Sequence, residues 1–301
     1  MAHPTPTLII IGAKGQLGRS LAALPVPKGW ERVLLAREDL DVTDHLTVDT
    51  ALAGITRGII VNATAYTAVD KAESESDLAH AVNQDGARHI ALAAARNGLP
   101  IVHVSTDFVF DGRKAGPYVE DDPVAPLSVY GASKLAGERA VAAVNPRHVT
   151  LRTAWVFSRH GACFPRAIFR ALRERPDVAV VDDQIGCPTA AEHLAEIILA
   201  IAPKLLDRDP HDSLFGLYHL AGQPVLSRYD FARAIEAEMK SQGLAMTGTV
   251  LPRKTDPDAA GAHRPANSAL SSARFTRAFD IEAPDWRTIL PACVGAYGGL
   301  S

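Results

Sequence analysis

Cysteine is scarce: the 301 residues contain three, Cys163, Cys187 and Cys293. Three thiols cannot build a disulfide framework, and these show no metal-ligand spacing, so a reducing compartment is expected and no metal site is assigned. Positive charge is not in excess either, with 31 Lys and Arg against 34 Asp and Glu and a net charge of −3. A binder of duplex nucleic acid would carry a basic surplus or tail, so no nucleic-acid partner is expected. No apolar run approaches the roughly 20 residues of a membrane-spanning helix. The first seven residues carry no basic region, and the apolar run behind them, Leu8 to Ile11, stops at Gly12. A signal peptide needs a longer apolar stretch, so a soluble cytoplasmic protein is expected. Internal repeats and low-complexity tracts are lacking too.

What is present is an ordinary globular balance, 47% apolar and 22% charged residues. The length suits one large domain or two smaller ones. The first half alternates short β-branched runs with longer helical patterns. Strands are expected at Leu8–Ile11, Arg32–Ala36, Gly58–Asn62, Pro100–Ser105 and Val149–Val156. Helices are expected at 16–24, 43–53, 74–97 and 128–144. Strands alternating with helices indicate βαβ units, and continuous apolar strands indicate a parallel sheet covered on both faces. The fold expected is therefore α/β: a Rossmann-type, doubly wound parallel sheet with a smaller C-terminal substrate-binding lobe. Residues 1–156 form the dinucleotide-binding domain, and elements near 176–222 return to its sheet, including a strand at 216–221. Residues 157–175 and 223–301 form the interleaved lobe, with helices near 165–175 and 228–242; a further helix is expected at 190–202.

Gly12, Gly15 and Gly18 form a G-x-x-G-x-x-G loop between the first strand and the first helix. Glycines there permit a tight turn and let backbone N–H groups approach a pyrophosphate, assisted by the helix dipole. At the end of the second strand stands Arg37, which can pair with a 2′-phosphate and favours NADPH. Alternatively Arg37 is solvated and Glu38 or Asp39 reaches the ribose, as in an NADH site. Further on, Thr106 and Asp107 end a strand at the side that lines the ligand crevice. Tyr130 and Lys134 lie four apart, on one face of a helix. A phenol titrates near 10, and a neighbouring ammonium would lower that value toward the working range. Read alone, a Tyr-x-x-x-Lys pair is more often a solvated surface pair. With the glycine loop and the Ser-Thr strand end upstream, it reads as a proton-transfer site.

These residues resemble the extended short-chain dehydrogenase/reductases, with Thr106, Tyr130 and Lys134 matching the Ser/Thr-Tyr-Lys triad. Within them the chain is most similar to the dTDP-4-dehydrorhamnose reductase family. The segments that carry the likeness, besides the glycine loop, are 61–71 (VNATAYTAVDK), 105–112 (STDFVFDG), 126–138 (PLSVYGASKLAGE), 151–157 (LRTAWVF), 183–189 (DQIGCPT) and 264–268 (RPANS). The resemblance implies an NADPH-dependent oxidoreductase of dTDP-rhamnose biosynthesis that reduces dTDP-4-dehydro-L-rhamnose to dTDP-L-rhamnose, with NADH as the alternative cofactor. It implies that Gly15, Gln16 and Leu17 wrap the pyrophosphate, Asp41 and Val42 border the adenine, and Ala63, Thr64 and Ala65 line the cofactor beyond. Tyr130 would deliver the proton, Lys134 bind the nicotinamide ribose and tune Tyr130, and Thr106 and Asp107 contact the sugar. Trp155 is either a substrate contact or a core tryptophan. Arg264 and Asn267 are assigned to the nucleotide or its diphosphate.

The family likeness alone also brings a homodimer, and Mg²⁺ at a subunit contact, which no sequence-local carboxylate cluster supports here. One departure stands out: the family's asparagine before Phe164 is Cys163, read as a packing residue. His103 and His219 read as core residues, and the acidic run from Asp70 to Asp77 as a solvated helix start. Two rival functions follow from the same motifs. One is a reductase or epimerase of another nucleotide sugar. The other is a non-catalytic NADP-binding regulatory subunit resembling that of methionine adenosyltransferase, against which the intact triad argues.

Overall fold

Strands that are apolar on both faces can be buried only between two layers of helices, and the centre of the molecule is built that way. The computed structural model describes residues 4–258 and 260–299. Met1–His3 of the N-terminal stretch, and Ala259, Leu300 and Ser301 of the expected lobe, lie outside the described residues. Six strands pair in parallel: β1 (Thr7–Ile11), β2 (Glu31–Leu35), β3 (Gly58–Asn62), β4 (Ile101–Thr106), β5 (His148–Thr153) and β6 (Gly216–His219). Their order is β2-β1-β3-β4-β5-β6.

Alternate residues of β1 face opposite cores. Leu8 and Ile10 meet α1 (Gln16–Ala23) and α6 (Ala191–Leu205) through Leu17, Leu21, Leu194 and Ile198. Ile9 and Ile11 meet α2 (His45–Leu52) and α3 (Ala87–Arg96) through Val48, Leu52, Ile90 and Ala94. Because the order reverses between β1 and β3, the loops leaving those two strands diverge and open a crevice at their carboxyl ends.

The stretch read as one helix over 74–97 contains a π turn, Ala81–Gly86, between the helix Ser76–His80 and α3. The turn carries Asn83 inward. Its amide nitrogen donates to the Tyr66 carbonyl (3.1 Å) and the Ser133 hydroxyl (2.9 Å), and its oxygen accepts from the Tyr66 amide (2.8 Å). Ser133 belongs to α4 (Val129–Val144), so the π turn fixes the helix that carries Tyr130 and Lys134. A π turn at such a place is a common functional adaptation.

The fifth strand was expected to run to Val156 but stops at Thr153, because Trp155 adopts a left-handed backbone, φ 45°. A bulky residue in that region is strained and is held there by its surroundings. Here the indole lies against Gly186, where even a Cβ atom would come within 2.4 Å of the ring.

The remaining elements form a smaller layer. Helices α5 (Phe164–Glu174), α7 (Arg228–Ser241) and α8 (Leu290–Gly298) share a core of Phe169, Leu172, Phe231, Ile235, Met239, Trp286 and Val294. Within 176–222, the segment Asp177–Val181 pairs in parallel with Thr249–Arg253 and not with the six-stranded sheet. Strand β6 pairs with β5, and residues of α6 share a core with the sheet and with Phe275 and Phe279 from the later part of the chain. No helix among the described residues is long and apolar enough to cross a membrane.

Candidate active site

Two cavities share the crevice, and Gly15, Ala63, Thr64 and Ala65 line both. The first, about 380 Å³, lies over the ends of β1 and β2 and reaches Arg37, Leu40, Asp41 and Val42. Gly12 turns there with φ 92°, and a Cβ on it would lie 2.8 Å from the Ala63 carbonyl group. Gly18 lets α1 close onto that turn, since its Cβ would come within 2.2 Å of the Gly12 oxygen. Helix α1 starts at Gly15 with no side chain capping its first-turn amides. Such an uncapped N-terminus on a cavity suits a pyrophosphate.

The choice left open at the end of β2 is narrowed by what its acids do. Glu38 pairs with Lys14 at the surface, and the Asp39 carboxylate accepts from the Ala36 amide at 2.7 Å. Neither lines the cavity, whereas exposed Arg37 does. Asp41 also lines it, with its carboxylate held by the Thr43 amide and hydroxyl (2.9 and 2.7 Å). These bonds, and the charge of Arg37, keep its pKa below the usual carboxylate value.

The second cavity, about 540 Å³, contains Thr106, Asp107, Tyr130, Lys134, Trp155, Arg228 and Arg264. Helix α4 begins at Ser128, whose hydroxyl accepts from the Gly131 amide at 3.2 Å, and this cap sets Tyr130 in the first turn. Burial pushes the Tyr130 phenol up to about 12, opposed by a hydrogen bond with Thr106 and aided by the Asp107 charge. In the cofactor-free protein, desolvation is the largest influence on the phenol. Lys134 donates to the Val104 carbonyl at 2.7 Å and is brought down to about 8 by burial, opposed by Glu138. Tyr130 is therefore a neutral phenol across the physiological range, the form that can give a proton.

Beneath the pair lies a buried network. Glu138 accepts from Arg152 Nε and Nη2 (2.9 and 2.7 Å) and from the Ser105 hydroxyl (2.5 Å). It joins β4, β5 and α4 directly below Lys134. Sequence reading passed over Arg152 and Glu138. A charged residue in the middle of an apolar strand was the available signal, since a buried arginine needs a partner.

Asp107 is almost fully buried, and burial raises its carboxyl to about 6. Thr106 donates to one of its oxygens at 3.0 Å, and hydrogen bonds from Ser268 and Thr106 and the charge of Arg228 oppose the rise. Because the folded pKa lies above the unfolded value, the folded state binds the extra proton between about pH 4 and pH 6. The stability of the wild type relative to Asp107→Asn is thus expected to be greatest below pH 4 and to fall as pH rises through 6. Paired thermal melts from pH 4 to 8 check this; a constant difference would show that Asp107 does not titrate in that window.

Two of the assigned residues are also engaged within the protein. Arg264 lines the cavity yet also pairs with Asp70 at 2.8 Å, so the acidic run contributes a partner and not merely a solvated helix start. Asn267 lies outside both cavities. Its nitrogen donates to the Lys114 and Gly116 carbonyls (2.7 and 3.1 Å) and its oxygen accepts from the Ala269 amide (3.0 Å), so its amide is consumed in joining two loops. Cys163 sits 3.2 Å from the Tyr297 hydroxyl, outside both cavities. His103 and His219 are fully buried, and burial drives both below the ordinary imidazole value. Among the described residues no group of three or more His, Cys, Asp or Glu side chains could hold a metal ion, so no magnesium chemistry is derived.

Comparison with known proteins places this arrangement. The model of the RmlD substrate binding domain family matches residues 6–298. The chain belongs to the dTDP-4-dehydrorhamnose reductase family. A dTDP-4-dehydrorhamnose reductase of Aggregatibacter actinomycetemcomitans is 41% identical over 285 residues, 94% of this chain and 96% of that protein. One from Sinorhizobium fredii is 40% identical, covering 93% of each. The crystal structure of the Bacillus anthracis dTDP-4-dehydrorhamnose reductase in complex with NADP superposes with a TM-score of 0.85 at 34% identity, over 96% of this chain and 98% of that one. The Rossmann-type expectation holds for the family and for the six-stranded parallel sheet described above.

Proposed function

We propose that this chain reduces dTDP-4-dehydro-L-rhamnose to dTDP-L-rhamnose with NADPH. The observation that carries the reading is the gathering of Thr106, Tyr130 and Lys134 on a cavity continuous with the glycine-rich cradle. The reductase names of relatives at about 40% identity and the NADP in the Bacillus anthracis structure support it.

The cradle suits a dinucleotide: Gly12 lets the turn pack against the Ala63 carbonyl, where a Cβ would come within 2.8 Å, and the uncapped start of α1 faces the cavity. Gly15, Gln16 and Leu17 hold the pyrophosphate, Asp41 and Val42 border the adenine, and Ala63–Ala65 line the path to the second cavity. When bound, the cofactor supplies a hydride to the keto carbon. Tyr130 then gives its proton to the oxygen of that carbon, while Thr106 holds the same oxygen. Donors fixed in advance stabilise charge only as it develops, which accelerates the step more than it tightens substrate binding. Lys134, already desolvated, replaces water around the cofactor ribose and the phenol. Trp155, Asp107 and Arg264 border the sugar and its nucleotide.

Arg37 meets the cofactor's 2′-phosphate. Arg37→Ala is expected to raise the KM for NADPH by about tenfold or more, the scale of one lost charge-assisted contact, and to change that for NADH little. Steady-state kinetics with both cofactors check this, and equal losses for the two would overturn the assignment. The function itself is tested by supplying the purified protein with dTDP-4-dehydro-L-rhamnose and NADPH. Oxidation of NADPH matched by dTDP-L-rhamnose is expected, whereas cofactor binding without turnover would point to another sugar or to the regulatory reading.

A further inference from the structure

The 540 Å³ cavity presents three cations, and two are already engaged: Lys134 with the Val104 carbonyl and Arg264 with Asp70. The third, Arg228, is different. Its guanidinium lies 3.6 Å from the Trp155 ring centre and 4.8 Å from that of Phe164, clamped between two aromatic faces. Cation–π contact holds a guanidinium by its faces and leaves the edge N–H groups pointing outward. Among the described residues no carboxylate or carbonyl accepts from those groups, and Asp107 acts on Arg228 only through its charge. Burial, opposed by the Asp107 charge and aided by that of Arg264, lowers the pKa of Arg228 to about 9. Arg228 is half-buried on the cavity wall with no protein acceptor among the described residues, a place where a ligand anion completes the site.

The position of Arg228 defines the anion. It is the first residue of α7 and lines both the reaction cavity and a neighbouring one of about 500 Å³, as do Phe164 and Arg264. That second space is lined by Phe164, Ile168, Val180, Arg253 and Thr255, an apolar floor with polar edges. An extended ligand with its reacting end at Tyr130 and its remainder in the second space must pass Arg228. We propose that Arg228 is the anchor for the diphosphate of the nucleotide sugar, and that this one fork, more than Arg264, sets the chain's requirement for a phosphorylated substrate. The clamp has a second consequence: phosphate held by Arg228 also fixes the guanidinium against Trp155, so diphosphate binding locks the strained indole that borders the sugar.

The inference rests on the nucleotide-sugar reading above, and its test separates the two. Binding of thymidine diphosphate and of thymidine is measured by calorimetry on the wild type, Arg228→Gln, Arg228→Lys and Arg264→Gln. The wild type should prefer the diphosphate. In Arg228→Gln that preference should fall by about 30-fold or more, the scale of a desolvated charge pair losing one partner. Thymidine affinity should change little, because the nucleoside touches neither charge. Arg228→Lys should recover part of the preference, as a point charge without the fork. Arg264→Gln should lose less than Arg228→Gln. In turnover, KM for the nucleotide sugar should rise by a larger factor than kcat falls.

Equal losses for thymidine and thymidine diphosphate would mean that Arg228 only supports the fold, and would overturn the inference. So would a larger loss in Arg264→Gln. If the wild type binds neither compound, the nucleotide-sugar reading itself fails, and the inference falls with it.

Discussion

Tyr130→Phe is expected to lower turnover of the 4-keto sugar by about 100-fold or more, the usual contribution of a positioned general acid. The substitution removes one oxygen and nothing else. The ring keeps its edge contact with Phe108, at 5.5 Å between centroids, and the Ser128 cap on α4 does not depend on the hydroxyl. NADPH affinity should therefore stay within a few-fold of the wild type. The separation matters because a merely structural tyrosine would affect both quantities. Burial holds the phenol near 12 in the free protein, so the proton is present at any working pH. The step that needs help is its departure, and the Lys134 ammonium and the Thr106 hydroxyl stand ready to stabilise the phenolate once it forms. Single-turnover rates beside equilibrium NADPH titration check the prediction. A variant that turns over at near wild-type rate would remove Tyr130 from the mechanism.

The second large effect concerns stability. Glu138→Ala is expected to destabilise the fold by about 3–5 kcal/mol, the cost of leaving a buried arginine without its partner. Arg152 and Glu138 have side chains only 4% and 7% exposed, so water cannot replace the lost carboxylate. Both carboxylate oxygens are used by Arg152, and one also takes the Ser105 hydroxyl. Removing the acid thus strands three donors at the junction of β4, β5 and α4. At roughly 2–4 °C per kcal/mol for a chain of this size class, the midpoint should drop by about 10 °C. The double variant Glu138→Leu with Arg152→Met should recover much of that loss, because an apolar pair of similar volume needs no partner. Calorimetry on the two variants checks this. If the double variant is as unstable as the single one, shape at this junction and not charge compensation would be what Glu138 provides.

These two residues illustrate what could be read from sequence. Tyr130 was legible because helical spacing sets it beside Lys134 and because the glycine loop and Thr106 precede it in the order that a βαβ chain brings together. The parallel sheet was legible for a similar reason: runs such as Leu8–Ile11 are apolar on both faces and have only one kind of home. Glu138 was not singled out, since a glutamate on a helix ordinarily faces water, and only the three-dimensional packing of α4 on β4 buries it. Arg228 was hidden in the same way. Its significance depends on Trp155 and Phe164, 73 and 64 residues earlier, and on a left-handed turn that no local pattern announces. The pairing of Asp177–Val181 with Thr249–Arg253 joins segments some 70 residues apart, so periodicity could suggest that the first is a strand but not its partner. Asn267 was assigned to the ligand from its motif alone, and nothing in the sequence showed that its amide also ties two loops.

The central claim is that this cavity carries out reduction at the keto carbon of the nucleotide sugar. It is tested most directly with NADPH deuterated at nicotinamide C4 on the transferable face, mixed with dTDP-4-dehydro-L-rhamnose and the wild-type protein. One deuterium at C4 of the sugar for each NADPH consumed is the result this account predicts. Recovery of an unlabelled or merely epimerised sugar with the cofactor unconsumed would contradict it.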